Sequence, residues 1–264
     1  MDYKTLMGYG KKKNKESKPK ENKVLESIKD EFNLNEGPAY EYKKHSKKIE
    51  KSLKDLQKNY LDFYESLRKK GLHDEAADFL DNYKKNTELQ KKRNAINSLY
   101  SLNNPGIFQK NADITIFEFF DYNCGYCKSV VKTIMETISE DKKINFVFVE
   151  FPILSQQSYT AALAALASQK QNLYNKFHLS LMNIKGAVDD KKIFETAKEI
   201  GLNIEQLKID MNSSEISTQL KKNHEIAKLL SLNGTPAFII GDVIYPGALT
   251  KQNLKDIIKK VREN

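Results

Sequence analysis

The two cysteines of this 264-residue chain lie three positions apart, at Cys124 and Cys127. They come shortly after an apolar run, Ile114–Phe119, that has the composition of a buried β-strand. A CxxC pair that ends a strand and opens a helix places its first sulfur over the helix N-terminus, where free N–H groups and the helix dipole favour a thiolate. The spacing therefore predicts a redox dithiol, with Cys124 as the attacking thiolate and Cys127 as the resolving thiol.

A CxxC pair can also belong to a zinc site or form a structural disulfide. Zinc needs two more soft ligands, and the chain has no second cysteine pair and only four scattered histidines. A disulfide across so short a loop removes little entropy from the unfolded chain. We therefore expect neither a metal nor a cofactor. His178 lies in an apolar helical stretch and is interpreted as a packed or surface histidine, because the dithiol already carries the chemistry.

The formal net charge of +9 is concentrated in the N-terminal part, since residues 1–105 hold 24 Lys and Arg against 17 Asp and Glu. Six lysines fall within residues 11–20, without interleaved aromatic residues or a base-reading motif. This pattern predicts a solvated, basic, disordered tail over residues 1–22 and no nucleic-acid partner. The sequence shows neither a membrane-spanning apolar run nor a signal-peptide pattern.

Residues 23–104 read as entirely helical. Apolar residues with 4-3-4-3-4 spacing form one seam of about three heptads, and the seam stops before Gly71. The seam residues are Ile49, Leu53, Leu56, Tyr60, Phe63 and Leu67. Such a seam is compatible with self-association, as a dimer or a trimer through residues 23–70, and with packing inside a small bundle. Further helices are predicted at Val24–Phe32, Asp74–Lys85 and Glu88–Tyr100.

Residues 105–264 read as an α/β domain with a long helical insert at about 153–232. The predicted strands are Ile114–Phe119, Ile144–Val149, Ala237–Ile240 and Val243–Tyr245. Gly241-Asp242 suits the two-residue turn of a hairpin between the last two strands. The helices predicted outside the insert are Gly125–Ser139, which carries the dithiol, and Leu254–Val261, which closes the domain.

This order of elements resembles the thioredoxin fold of the DsbA family over residues 105–264. The segment Glu118–Lys128 is similar to that of exported bacterial DsbA-like proteins with a helical N-terminal extension, among them the suppressor-of-copper-sensitivity thiol proteins. The resemblance implies that Pro236 is a cis-proline facing the dithiol, preceded by Thr235, whose backbone would pair with an extended substrate strand. The other reading of Pro236 is an ordinary trans-proline at the start of an edge strand.

Glu118 matches the acid that this family buries beneath its active site. A buried carboxyl there has a raised pKa and can exchange a proton with Cys127. The alternative is that Glu118 faces solvent or pairs with a lysine. The alternation of this residue with Phe117 and Phe119 does not separate the two readings.

Gly125 and Tyr126 lie between the cysteines, where strongly oxidising members of the family have Pro-His. Because Gly-Tyr brings no positive charge, we expect Cys124 to be less acidic than in those oxidases and the disulfide to be less oxidising. Gly-Tyr together with Thr235 before the proline is also similar to the dimeric DsbC isomerases.

We therefore interpret the chain as a protein disulfide isomerase that is periplasmic or secreted, with its export signal absent from this chain. Its implied partners are disulfide-containing proteins, a membrane reductant or oxidant, and further copies of itself. Two alternatives remain open at this stage. One is a dithiol oxidase, and the other is a non-catalytic, basic surface-binding protein.

Overall fold

The computed structural model describes residues 51, 55 and 58–263. These residues divide into two compact units, with the boundary between Leu89 and Gln90. The predicted tail over residues 1–22, the predicted helix Val24–Phe32 and the first three residues of the apolar seam lie outside the described residues. Among the helices that the structure describes, none combines the length and apolarity needed to span a bilayer.

The first unit contains a helix over residues 58–69 (α1) and the first half of a second helix, His73–Ser101 (α2). Aromatic rings hold these two helices together. Tyr60 stacks on Phe79 with ring centroids 5.3 Å apart and lies 4.7 Å from the ring of Tyr83, while Phe63 meets Phe79 edge-on at 4.9 Å. The described end of the apolar seam is therefore packed within its own unit.

The second unit is built around a five-stranded sheet of order β1-β3-β2-β4-β5. Only β2 and β3 are parallel, and the other neighbouring pairs are antiparallel. The strands are β1 Gly106–Ile107, β2 Ile114–Phe120, β3 Ile144–Glu150, β4 Ala237–Ile240 and β5 Val243–Pro246. This mixed sheet with its helices is a thioredoxin-like fold, as predicted.

Helices follow the strands in an order that places a long insert between β3 and β4. The dithiol helix is α3 Gly125–Glu140, and the closing helix is α9 Lys251–Glu263. The insert contains α4 Gln156–Ser168, a short 3-10 turn Gln169–Gln171, α5 Tyr174–Met182, α6 Asp190–Glu199, α7 Ile204–Met211 and α8 Ser214–Leu229.

The sheet is covered on both faces by apolar side chains. One core cluster joins α3, α9 and the insert to alternate sheet residues such as Ile116 and Phe120. The second cluster includes Phe117 and Phe119 with residues of α8 and the end of α2. Successive strand residues point to opposite faces, so both sets of alternating positions are apolar.

Three element predictions differ from the structure. The helices predicted at Asp74–Lys85 and Glu88–Tyr100 are one continuous helix, α2. The two-residue strand β1 and the eight-residue helix α7 are absent from the sequence-based interpretation, because elements so short carry little periodicity. β1 depends on Gly106, where any Cβ would collide with the carbonyl oxygen of Phe146.

Candidate active site

Cys124 is the N-cap residue of α3, with extended backbone angles. Its sulfur accepts a hydrogen bond from the backbone N–H of Cys127 at 3.3 Å and lies 3.2 Å from the carbonyl oxygen of Thr235. Hydrogen bonding from Cys127 is the largest cause that lowers the pKa of Cys124, to about 6, against the opposing effect of burial. The first cysteine is thus held as a thiolate by neutral donors at a helix N-terminus.

Cys127 lies one turn inside α3 and is fully buried. Burial raises its pKa well above the usual thiol range, and the hydrogen bond to Cys124 and the carboxyl of Glu118 act in the same direction. Both cysteines are free thiols in the structure. The two sulfurs therefore differ strongly in acidity, which separates an attacking thiolate from a thiol that reacts only after losing its proton.

Thr235 and Pro236 form the loop that faces the dithiol, immediately before β4. The peptide bond between them is cis. The carbonyl of Pro236 accepts a hydrogen bond from the N–H of Gly247 at 2.8 Å, which joins this loop to the end of β5. The backbone of Thr235 therefore lies beside the reactive sulfur of Cys124, where an extended polypeptide can pair with it.

Glu118 is in the middle of β2 and only 1% exposed. Burial raises the pKa of its carboxyl to about 8, and the nearby Cys124 adds to the rise. Its Oε1 has no hydrogen-bond partner among the described residues. A solvent-facing or lysine-paired Glu118, the alternative left open by the sequence, does not match this environment. The carboxyl is set up to hold or release a proton near neutral pH.

The residues between the cysteines lie at the protein surface. Tyr126 is 72% exposed, and a Cβ on Gly125 would meet no other atom within 4 Å. Neither residue places a charge next to the sulfur of Cys124.

Asn123 ties the active-site loop to the insert, a role that the sequence interpretation did not assign. Its Nδ2 donates to Ser155 Oγ at 3.3 Å, to Ser158 Oγ at 3.2 Å and to the Val188 carbonyl at 3.2 Å. Its Oδ1 accepts from the Val188 N–H at 2.7 Å. Lys128, just after the dithiol, donates to two carbonyls of the segment before Val188.

Asp121 connects the same loop to the end of β3. Its carboxylate accepts hydrogen bonds from the backbone N–H groups of Asn123, Ile153 and Leu154, at 2.7, 2.8 and 2.9 Å. Asp121 is a residue type that often accepts a hydrogen bond from the backbone N–H two residues on, as it does here from Asn123, so it carried a weak sequence signal for that bond.

A buried polar cluster lies next to this loop. The hydroxyls of Tyr122 and Tyr174 donate to Glu150 Oε1 at 2.9 and 2.7 Å. His178 Nδ1 is 3.1 Å from the Tyr122 hydroxyl, and burial lowers the pKa of its imidazole to about 3. His178 is therefore a neutral core residue, in agreement with its interpretation as a packed histidine.

A thioredoxin-like sheet that presents a CxxC dithiol at a helix N-terminus, facing a proline loop, defines a thiol-disulfide oxidoreductase. A family model described as a DSBA-like thioredoxin domain matches residues 115–259. That match covers more than half of the chain, and the chain belongs to this family.

Curated relatives share parts of the chain. Probable disulfide bond formation protein D of Bacillus anthracis is 25% identical over 150 residues, which cover 52% of this chain and 69% of that protein. A further match, 23% identical over 141 residues, is to the Na(+)/H(+) antiporter NhaA 1 of Salinispora arenicola, of which it spans only 22%.

Solved structures agree with this assignment. A thioredoxin-like oxidoreductase from Silicibacter pomeroyi is 34% identical, with a TM-score of 0.60, over 61% of this chain and 94% of that one. The catalytic domain of Proteus mirabilis ScsC is 27% identical, with a TM-score of 0.61, over 67% of this chain and 99% of that one.

Proposed function

We propose that this protein is a disulfide isomerase that attacks protein disulfides with Cys124. One observation carries the proposal: the sulfur of Cys124 is stabilised by hydrogen bonding from Cys127, with no cation among the causes of its lowered pKa. With a pKa of about 6, roughly nine tenths of this thiol is ionised at pH 7. A thiolate stabilised only by neutral groups makes the Cys124–Cys127 disulfide a weaker oxidant than one stabilised by a cation, which favours reshuffling over net oxidation of the substrate.

The proposed reaction starts with the Cys124 thiolate attacking one sulfur of a substrate disulfide. A Cys124–substrate S–S bond forms, the substrate bond breaks, and the second substrate sulfur leaves as a thiolate. That thiolate attacks another disulfide of the substrate. A substrate thiolate finally displaces Cys124, so the cycle neither consumes nor supplies electrons.

Cys127 and Glu118 release the substrate when the mixed disulfide with Cys124 is not displaced by a substrate thiolate. Glu118, as the carboxylate, takes the proton of the Cys127 thiol, and the new thiolate attacks the sulfur of Cys124. The Cys124–Cys127 bond forms and the substrate leaves with both sulfurs reduced. The oxidised enzyme then needs a reductant, and we propose that a membrane protein supplies it.

Such chemistry belongs in an oxidising compartment, so we place the protein in the periplasm or outside the cell. We also propose that the region before Gln90 acts as a separate extension, which brings two or three copies together through residues 23–70 so that several dithiols face one substrate.

A dithiol oxidase is the second candidate, favoured by the names of relatives such as the disulfide bond formation proteins. An oxidase would run the second half of the reaction in reverse, passing its disulfide to two substrate thiols. It would need an oxidising partner instead of a reductant.

The test is recovery of activity from a scrambled, fully oxidised multi-disulfide protein in a fixed glutathione buffer. We expect the full chain to restore activity, Cys124→Ser to lose this ability, and a chain beginning at Gln90 to be several-fold slower because its dithiols act singly. Cys127→Ser is the matched variant, which keeps the attacking sulfur but should accumulate mixed disulfides. Rapid oxidation of reduced substrate by a full chain that cannot reshuffle the scrambled protein would favour the oxidase.

A further inference from the structure

A groove of about 440 Å³ lies beside the active site, between the end of β3 and the end of α8. Its walls combine apolar and polar side chains. Among them are Ile153, Leu154, His224, Lys228 and Asn233. None of these side chains has a part in the disulfide chemistry described above.

Both walls of the groove are linked to residues close to the reactive site. Asn233 is two residues before Thr235, whose carbonyl is 3.2 Å from the sulfur of Cys124. On the other wall, the backbone N–H groups of Ile153 and Leu154 are held by the carboxylate of Asp121, three residues before Cys124. A polypeptide that pairs with the backbone of Thr235 and continues towards Asn233 therefore runs past this groove.

The position of the groove sets which substrate residue it can meet. An extended chain advances about 3.3 Å per residue. A groove that begins two residues from Thr235 therefore faces the second or third residue from the cysteine under attack. Leu154 is 52% exposed at its edge and offers apolar surface to that residue.

The described lining of the groove carries a positive charge and no negative one. Lys228 makes no ion pair with any described residue, and it is the one permanently charged side chain in the lining. Glu225, one turn earlier on α8, is paired instead with Lys221 at 3.8 Å. His224 lines the groove as well, and its Nδ1 is buried without a hydrogen-bond partner among the described residues.

We propose that this groove is a substrate-selecting site, which binds an apolar side chain two or three residues from the target cysteine together with a neighbouring carboxylate. Lys228 would attract the carboxylate, and Ile153 and Leu154, which follow β3, would cover the apolar group. This inference rests on the proposed disulfide exchange at Cys124 and names the class of polypeptide that it favours.

The experiment uses the full chain and two peptides, each with one cysteine linked by a disulfide to glutathione. Each peptide has a Leu two residues before and two residues after the cysteine. The peptides differ only at the positions three residues from the cysteine, which are Glu in one peptide and Lys in the other. The readout is the ratio of kcat/KM for the Glu peptide to that for the Lys peptide. Glutathione disulfide serves as a substrate too small to fill the groove.

We expect a ratio of about 5 for the natural chain at low ionic strength, falling towards 1 at 0.5 M salt, as for an exposed ion pair. Lys228→Glu should bring the ratio below 1. Lys222→Glu, on the exposed side of the same helix, is the matched control and should keep the natural ratio. Leu154→Ser should lower kcat/KM for both peptides relative to glutathione disulfide.

A ratio near 1 for the natural chain would overturn the groove proposal, and so would equal effects of Lys228→Glu and Lys222→Glu on the ratio. In either case, exchange with glutathione disulfide would still support the chemistry of Cys124. Failure to cleave even glutathione disulfide would instead overturn the proposed function and this inference with it.

Discussion

Glu118 shows how a single buried residue links function to stability. The pKa of its carboxyl is about 8 in the folded protein, against an ordinary value of 4.5. The folded state therefore binds this proton more tightly than the unfolded state does. Stability from this group is complete below pH 4.5 and is lost as the pH rises towards 8, by up to about 1.4 kcal/mol per pH unit.

Replacing Glu118 with Gln should remove this loss. At pH 7 we expect Glu118→Gln to be more stable than the natural chain, by on the order of 3 kcal/mol, because folding of the natural chain must protonate a carboxyl that is ionised in the unfolded state, whereas an amide needs no proton. Urea unfolding of the reduced proteins between pH 4.5 and 8 measures the difference. Burial also raises the pKa of Glu150, so part of the decrease in stability with rising pH remains in both proteins. Identical slopes would show that Glu118 does not hold its proton.

The position of Glu118 also marks what the sequence could not decide. Its neighbours Phe117 and Phe119 point to the opposite face of β2, into the second core cluster. In a sheet covered on both faces, apolar residues occupy both sets of alternating positions, so alternation cannot show which face meets the dithiol helix. Cys124 and Cys127 were predictable, because their spacing after a strand is a local pattern. Asn123 was not, because its partners are 32 to 65 residues away.

At the scale of secondary-structure elements, Asn123 joins three pieces of the fold: the start of α3, the start of α4 and the loop before α6. Asn123→Ala would leave the Val188 N–H without its 2.7 Å acceptor in a region where Val188 is buried. We expect a loss of about 2 to 3 kcal/mol in unfolding free energy, since an orphaned buried group adds to the lost hydrogen bonds.

Hydrogen exchange tests whether the effect of Asn123→Ala is local to the hydrogen bonds of Asn123. Amides near Val188 should exchange faster in Asn123→Ala, while those of β2 and β3 follow the global stability. Asn183→Ala, an exposed asparagine of the same insert, should change neither quantity by more than about 0.5 kcal/mol. Equal effects of the two substitutions would show that Asn123 does not hold the active-site loop to the insert.

For the whole molecule, the decisive question is where the catalytic unit begins. A boundary at residues 104 and 105 follows from reading all helical residues before the first strand as one extension. In the structure, however, Ala95, Ile96 and Leu99 of α2 are no more than 2% exposed and belong to the core cluster that covers one sheet face. No local pattern marks this change, because the helix continues across the boundary between Leu89 and Gln90.

A chain beginning at Asn103 should therefore be less stable than one beginning at Gln90, by on the order of 5 kcal/mol, because it lacks the buried Ile96 and Leu99 side chains. Urea unfolding of the two reduced chains measures this. In the full chain, Leu99→Ala should cost about 2 to 5 kcal/mol, and Leu89→Ala, at a position 58% exposed, should cost far less. Equal stability of the two shortened chains would instead put the start of the catalytic unit after α2, and the helix would then serve the extension alone.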